Sequence, residues 1–167
     1  MARILIVEDE LALRRIITLN LVRRGYTVAE ADSVMTANDA CALSSEPFDL
    51  ILLDINLPDQ TGWDVLRHLE QNGPSQSKPG SNKSPAAGVP GERQEKRPQV
   101  IVITAVRPQQ SRLDEFQPAA VLLKPFPIAA LLRLIERVLE HAPAERSSAD
   151  DGTGESGDSS EFNPTGV

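Results

Sequence analysis

Five short aliphatic runs, separated by segments in which apolar residues recur at helical spacing, set the plan of the chain. Arg3 to Val7 (Arg-Ile-Leu-Ile-Val) and Leu50 to Asp54 (Leu-Ile-Leu-Leu-Asp) are continuous enough for strands buried on both faces. Thr27 to Ala31 alternates, as an edge strand does, while Gln99 to Thr104 and Ala120 to Leu123 complete the set of strands. Between the first two runs, Leu13, Ile16, Ile17 and Leu21 predict a helix over about residues 10–24, which Gly25 stops. Ser33 is placed to cap a second helix to about Leu43, with Ala37, Ala40 and Cys41 inward. Further helices are predicted over about 63–71, 109–116 and 127–140; Pro127 opens the last, and Ile128, Leu131, Leu132, Ile135 and Val138 form its apolar stripe.

Strand then helix, five times over, predicts an α/β fold: a doubly wound, five-stranded parallel sheet with helices on both faces. With right-handed crossovers in the order 2-1-3-4-5, strands one and three lie side by side where the winding reverses. Glu8 and Asp9 leave the end of the first, and Asp54 leaves the end of the third. Three carboxylates are thereby expected on one crevice.

Composition narrows the picture. The chain has 167 residues, 40% hydrophobic content and a formal charge of −7. Residues 73–98 and 142–167 are rich in Pro, Gly, Ser and charge, so a domain over 1–141 is expected, with a flexible insertion at about 73–98 and a disordered acidic tail at 142–167. The insertion is the basic part of the chain, carrying Lys78, Lys83, Arg93, Lys96 and Arg97 against Glu92 and Glu95. An acidic body argues against general nucleic-acid binding, where phosphate neutralisation supplies most of the affinity. A lone Cys41 excludes an internal disulfide, and neither a signal peptide nor a membrane-length apolar run is seen. A soluble cytoplasmic protein is expected.

Three acids held together repel one another and call for a cation. Lys124, ending the fifth strand, supplies one positive charge, and a divalent ion matches what remains. A site built from oxygen ligands selects Mg²⁺ or Mn²⁺. Thr104, ending the fourth strand, adds a hydroxyl on the same edge. A cation, a hydroxyl and an ammonium around one carboxylate would stabilise a phosphoryl group attached to it.

The acidic pair Glu8-Asp9, Asp54 in its Asp-x-x-Leu-Pro-Asp-x-x-Gly setting, Thr104 and Lys124-Pro125-Phe126 together resemble the receiver domain of two-component response regulators, of single-domain type. The resemblance covers residues 1 to about 141 and implies a flavodoxin-like, CheY-like three-layer sandwich. It further implies that Asp54 accepts a phosphoryl group from a sensor histidine kinase or a histidine phosphotransfer protein. Mg²⁺ would be held by Asp9, by Glu8 mainly through water, by Asp54 and by the backbone carbonyl of Asn56. Thr104 would hydrogen-bond the phosphoryl group, Lys124 would pair with it, and the Lys124-Pro125 bond would be cis. Output would run through contacts with a downstream protein target, with no direct DNA binding and no membrane contact. Such a protein is no enzyme in the usual sense; it assists its own phosphoryl transfer and dephosphorylation.

Two features depart from the family pattern. Where typical members carry an aromatic residue three positions before the lysine, this chain has Val121, and Pro108 and Pro118 interrupt the slightly short stretch before it. The segment 73–98 is also far longer than the family's usual connection. Two other functions draw on the same residues. One is a phosphorylation-independent interaction module, which Val121 favours. The other is an Asp-nucleophile phosphatase of the haloacid-dehalogenase type, whose second aspartate would stand where this chain has Asn56.

Overall fold

A computed structural model describes residues 1–72 and 97–141. The proposed tail, and the proposed insertion apart from its last two residues, lie outside the described residues. The elements are β1 (Arg3–Val7), α1 (Leu11–Arg23), β2 (Thr27–Ala31), α2 (Val34–Leu43), β3 (Leu50–Asp54), α3 (Gly62–Asn72), β4 (Gln99–Thr104), α4 (Gln110–Phe116), β5 (Ala120–Leu123) and α5 (Ile128–His141). All strand pairings are parallel, in the order β2-β1-β3-β4-β5. The expected architecture is the one observed.

Strand alternation divides the core in two. Ile4, Ile6, Leu50, Leu52, Ile101 and Ile103 face α1 and α5, where Ile17, Leu21, Leu131 and Ile135 meet them. Leu5, Val7, Ile51, Leu53 and Val102 face α2 and α3, against Ala37, Trp63, Val65 and Leu66. Every residue of β3 is buried. Burying each of its four aliphatic side chains contributes roughly 1.5–3 kcal/mol, enough to offset a carboxylate buried at its end.

Local signals fix the helix ends. Gly25 adopts φ 84°, and the Gly25 and Tyr26 amides donate to the carbonyls of Val22 and Leu21, closing α1 with a Schellman turn. Ser33 caps α2 through a reciprocal box with Thr36. Asp59, from the loop after β3, adds to that cap: its carboxylate accepts the Val34 and Met35 amides at 3.0 Å each. These bonds lead the causes that hold its pKa below the usual carboxylate range. Pro127, expected as the first helical residue, lies just before α5; its carbonyl accepts the Ala130 amide at 2.9 Å.

The fourth helix is the least anchored. It has seven residues, none of them fully buried. Phe116 at its end stacks on Trp63 of α3, with centroids 5.2 Å apart and planes 10° from parallel. Beside that stack, Arg67 pairs with Glu115 at 3.6 Å. The helix ends on Gln117 in the left-handed region, φ 44° and ψ 56°, a conformation that favours glycine. Replacing Gln117 by Gly therefore raises stability by about 0.5–1 kcal/mol, measured as a higher urea midpoint at unchanged m-value; a fall would show that the Gln117 side chain outweighs its backbone cost.

Candidate functional site

The register places the acids. Val7 pairs with Leu53, so Glu8 and Asp54 continue adjacent parallel strands at the same edge of the sheet. Thr104 pairs with Leu123 at the ends of β4 and β5, and the Lys124 amide donates to the Thr104 carbonyl at 2.8 Å. The Lys124-Pro125 bond is cis, as the family resemblance implies. Gln99, where the chain re-enters the sheet after residues 73–96, pairs with Leu50 at the far end of β3 from Asp54.

Lys124 Nζ stands at the centre, 2.6 Å from Asp54 Oδ2 and 2.8 Å from Glu8 Oε1. Asp54 Oδ1 accepts the Asn56 amide at 2.8 Å. Glu8 and Asp54 are buried and Asp9 is exposed; one oxygen from each of the three lies within 4.8 Å of the others. Glu8 Oε2 is buried and has no hydrogen-bond partner among the described residues. A buried carboxylate oxygen without a donor is costly, and a cation bound there would satisfy it. The set therefore fits a hard divalent ion with oxygen ligands and one exposed side open to water.

Electrostatics agree with the geometry. Burial pushes the Glu8 carboxyl up from its ordinary value, and the bond and charge of Lys124 only partly offset this. Burial alone would lower the Lys124 ammonium, but its hydrogen bonds to Asp54 and Glu8, with their charges, outweigh that and raise it. The two directions are compatible: both carboxylates help keep Lys124 charged, while one ammonium shared between them does not make up for the burial of Glu8.

The loop after β3 is closed tightly behind Asp54. Asn56 forms a bridge with Thr61, and the Gly62 amide donates to the Ile55 carbonyl at 2.8 Å. A side chain at Gly62 would overlap the Asp54 carbonyl oxygen, with its Cβ only 2.9 Å from Ile55 Cα. Those neighbours are backbone and cannot yield cheaply.

Four of the residues singled out in the sequence, Glu8, Asp9, Asp54 and Lys124, thus meet in one cluster. Asn56 contributes its amide to Asp54, and its own carbonyl belongs to the same loop. Thr104 is buried at the adjacent strand end, but its hydroxyl is engaged locally, donating to the Val106 carbonyl at 3.1 Å and accepting the Val106 amide at 3.3 Å. Val121 is half-buried against the core on the α2 and α3 side. Arg14 was not legible as part of the site: its Nη1 donates to the carbonyls of Glu8 at 2.5 Å and Asp9 at 3.4 Å. The one available signal was a cation placed about one turn after the acids, among aliphatic residues.

Comparison with known proteins follows the same lines. Residues 4–78 match the family described as response regulator receiver domain. The chain is 31% identical over 139 residues to the probable transcriptional regulatory protein SilR of Salmonella typhimurium, covering 82% of this chain and 50% of that protein. It is 31% identical over 144 residues to the transcriptional regulatory protein CusR of Escherichia coli K12, covering 85% and 53%. The chain spans about half the length of these curated relatives. Among solved structures, the non-phosphorylated HemR receiver domain of Leptospira biflexa superposes with TM-score 0.64 at 25% identity, covering 86% of this chain and 98% of that one. A CheY-like receiver domain protein from Methanospirillum hungatei shares the fold, with TM-score 0.63 at 22% identity, covering 84% and 94%.

Two outcomes follow from this geometry. The raised Glu8 pKa means that its contribution to stability is present below the unfolded value near 4.3 and is lost as pH rises through the folded value. In metal-free protein, the stability of Glu8→Gln relative to wild type therefore increases from about pH 4.3 towards pH 7. A flat difference profile from paired urea titrations would contradict this. Gly62→Ala lowers stability by about 1–3 kcal/mol through overpacking against Asp54 and Ile55, read from the same titrations.

Proposed function

The described body of this chain is a response regulator receiver domain, and on that premise we propose that Asp54 is the phosphoacceptor of a two-component phosphorelay. One observation carries the reading: buried Asp54 is bonded to Lys124, with Glu8 and Asp9 beside it and one Glu8 carboxylate oxygen left without a hydrogen-bond partner among the described residues. The donor would be a phosphohistidine on a sensor histidine kinase or a histidine phosphotransfer protein. An Asp54 carboxylate oxygen attacks phosphorus, the phosphorus–nitrogen bond breaks, and the imidazole leaves with the bonding pair.

Mg²⁺ would be held by Asp9, Glu8, Asp54 and the Asn56 carbonyl, where it supplies positive charge for the phosphoryl oxygens. Glu8 would act mainly through water. Lys124 shifts from the Asp54 carboxylate towards the phosphoryl oxygens as charge moves onto them. Thr104 leaves its bonds to Val106 and donates its hydroxyl to the same group. The chain acts as a phosphoacceptor that assists its own transfer and dephosphorylation, rather than as an enzyme on a separate substrate.

The domain is taken to run over residues 1–141, interrupted in sequence by the segment at about 73–98 and followed by the acidic segment 142–167. Signalling passes through contacts with a downstream protein, without direct DNA contact by the segment present. SilR and CusR are transcriptional regulators of which this chain spans about half. No helix among the described residues is long and apolar enough to cross a membrane; the cytoplasm is the proposed location. Val121 and the local bonding of Thr104 favour one second reading, a receiver-like module that binds partners without being phosphorylated.

A small-molecule phosphodonor with Mg²⁺ distinguishes the two. Wild type gains a phosphate-sized mass that chelator prevents and Asp54→Asn abolishes, while Lys124→Met slows its formation at least tenfold, in line with loss of one preorganised charge. An unmodified wild type, in protein shown separately to bind Mg²⁺, would favour the module.

A further inference from the structure

The Arg14 side chain is 11% exposed, and its guanidinium touches three acceptors. Nη1 serves the carbonyls of Glu8 and Asp9, while Nε donates to Glu30 Oε2 at 3.2 Å. Glu30 lies on β2, paired with Ile6 of β1, so the arginine is anchored to the strand beside the one that delivers the acids. Although the two cation-site acids are its immediate neighbours, the ion pair Arg14 makes among the described residues is with Glu30.

We propose that Arg14, held by Glu30, is a positioning residue of the cation site: it clamps the Glu8 and Asp9 carbonyls and is itself kept from neutralising their carboxylates. The proposal rests on the reading that Glu8, Asp9 and Asp54 bind Mg²⁺. The planar guanidinium makes the device workable, because its separate N–H groups bond carbonyls on one edge and a carboxylate on another. The clamped peptide fixes the direction in which both side chains leave the strand end. Removal of Glu30 frees a long cationic side chain beside two carboxylates, where it competes with the metal. Groups that orient metal ligands in this way commonly change affinity by about 10–100-fold when lost.

Charge alone predicts a different pattern, which makes the proposal testable. Acting only through its charge, Arg14 would repel Mg²⁺, so Arg14→Met would tighten binding. As a clamp, it weakens binding when removed. Calorimetric titration of the full chain with Mg²⁺ is expected to show about tenfold weaker binding in both Glu30→Gln and Arg14→Met. The double variant should bind no more weakly than the weaker single variant, since Glu30 acts through Arg14. Phosphorylation of Glu30→Gln should need more Mg²⁺ for half-maximal rate and reach the wild-type maximum.

Glu30 has a partly exposed side chain, 38% accessible, so its substitution tests the idea without threatening the fold. Wild-type affinity in Glu30→Gln, or tighter binding in Arg14→Met, would overturn the clamp while leaving the Mg²⁺ site intact. No Mg²⁺ binding by wild type would remove the underlying reading and the clamp with it.

Discussion

The bond between Lys124 and the two buried acids, Asp54 and Glu8, is the interaction on which the rest of this molecule turns. A sheet edge with three carboxylates is unfavourable by itself, because burial of Glu8 and Asp54 withdraws the water that would disperse their charge. One ammonium, at the end of edge strand β5, reaches two of them, and an excess of negative charge remains. On the proposed reading, that excess is what the site would use. It would cost the metal-free protein stability and would favour a divalent cation, so ordinary rules of charge burial are relaxed where the chemistry is expected to occur.

The fold supplies what the charges cannot. Parallel pairing in the order β2-β1-β3-β4-β5 brings the ends of β1 and β3 together at the winding reversal and delivers Thr104 and Lys124 from the next two strands. The loop after β3 then secures Asp54 from behind, with Gly62 packed against its backbone and Asp59 spanning to the start of α2. Precision at one carboxylate thus depends on a glycine, a helix cap and a strand register distant from it in sequence. The α4 region is attached differently, through the Trp63 and Phe116 rings and the Arg67–Glu115 ion pair at the surface. That stack joins α3 and α4 within the cluster on one face of the sheet, where Val121 also packs.

Much of this was legible in the amino-acid pattern because it follows from periodicity and burial. Continuous aliphatic runs marked the strands, their abrupt ends on Glu8, Asp54, Thr104 and Lys124 marked the site edge, and Ser33 and Gly25 marked helix ends. Helix limits were read one residue away from those observed at several ends, since terminal turns depend on cap geometry more than on composition. What escaped reading was the direction of polar side chains. Arg14 reaches Glu30 sixteen positions away and the backbone of two acids behind it, Asp59 caps a helix twenty-five positions earlier, and Thr104 turns its hydroxyl to Val106. None of these choices alters a hydrophobic period, so none leaves a trace in it.

The most direct test of the central claim is a crystal structure of the chain with Mg²⁺ and beryllofluoride, an acyl-phosphate mimic. The charge-balance account predicts the beryllofluoride on an Asp54 carboxylate oxygen, Mg²⁺ among Glu8, Asp9, Asp54 and the Asn56 carbonyl, and Lys124 Nζ moved onto a fluorine. Mg²⁺ bound elsewhere, or an Asp54 still paired with Lys124 and carrying no adduct at saturating concentrations, would contradict it.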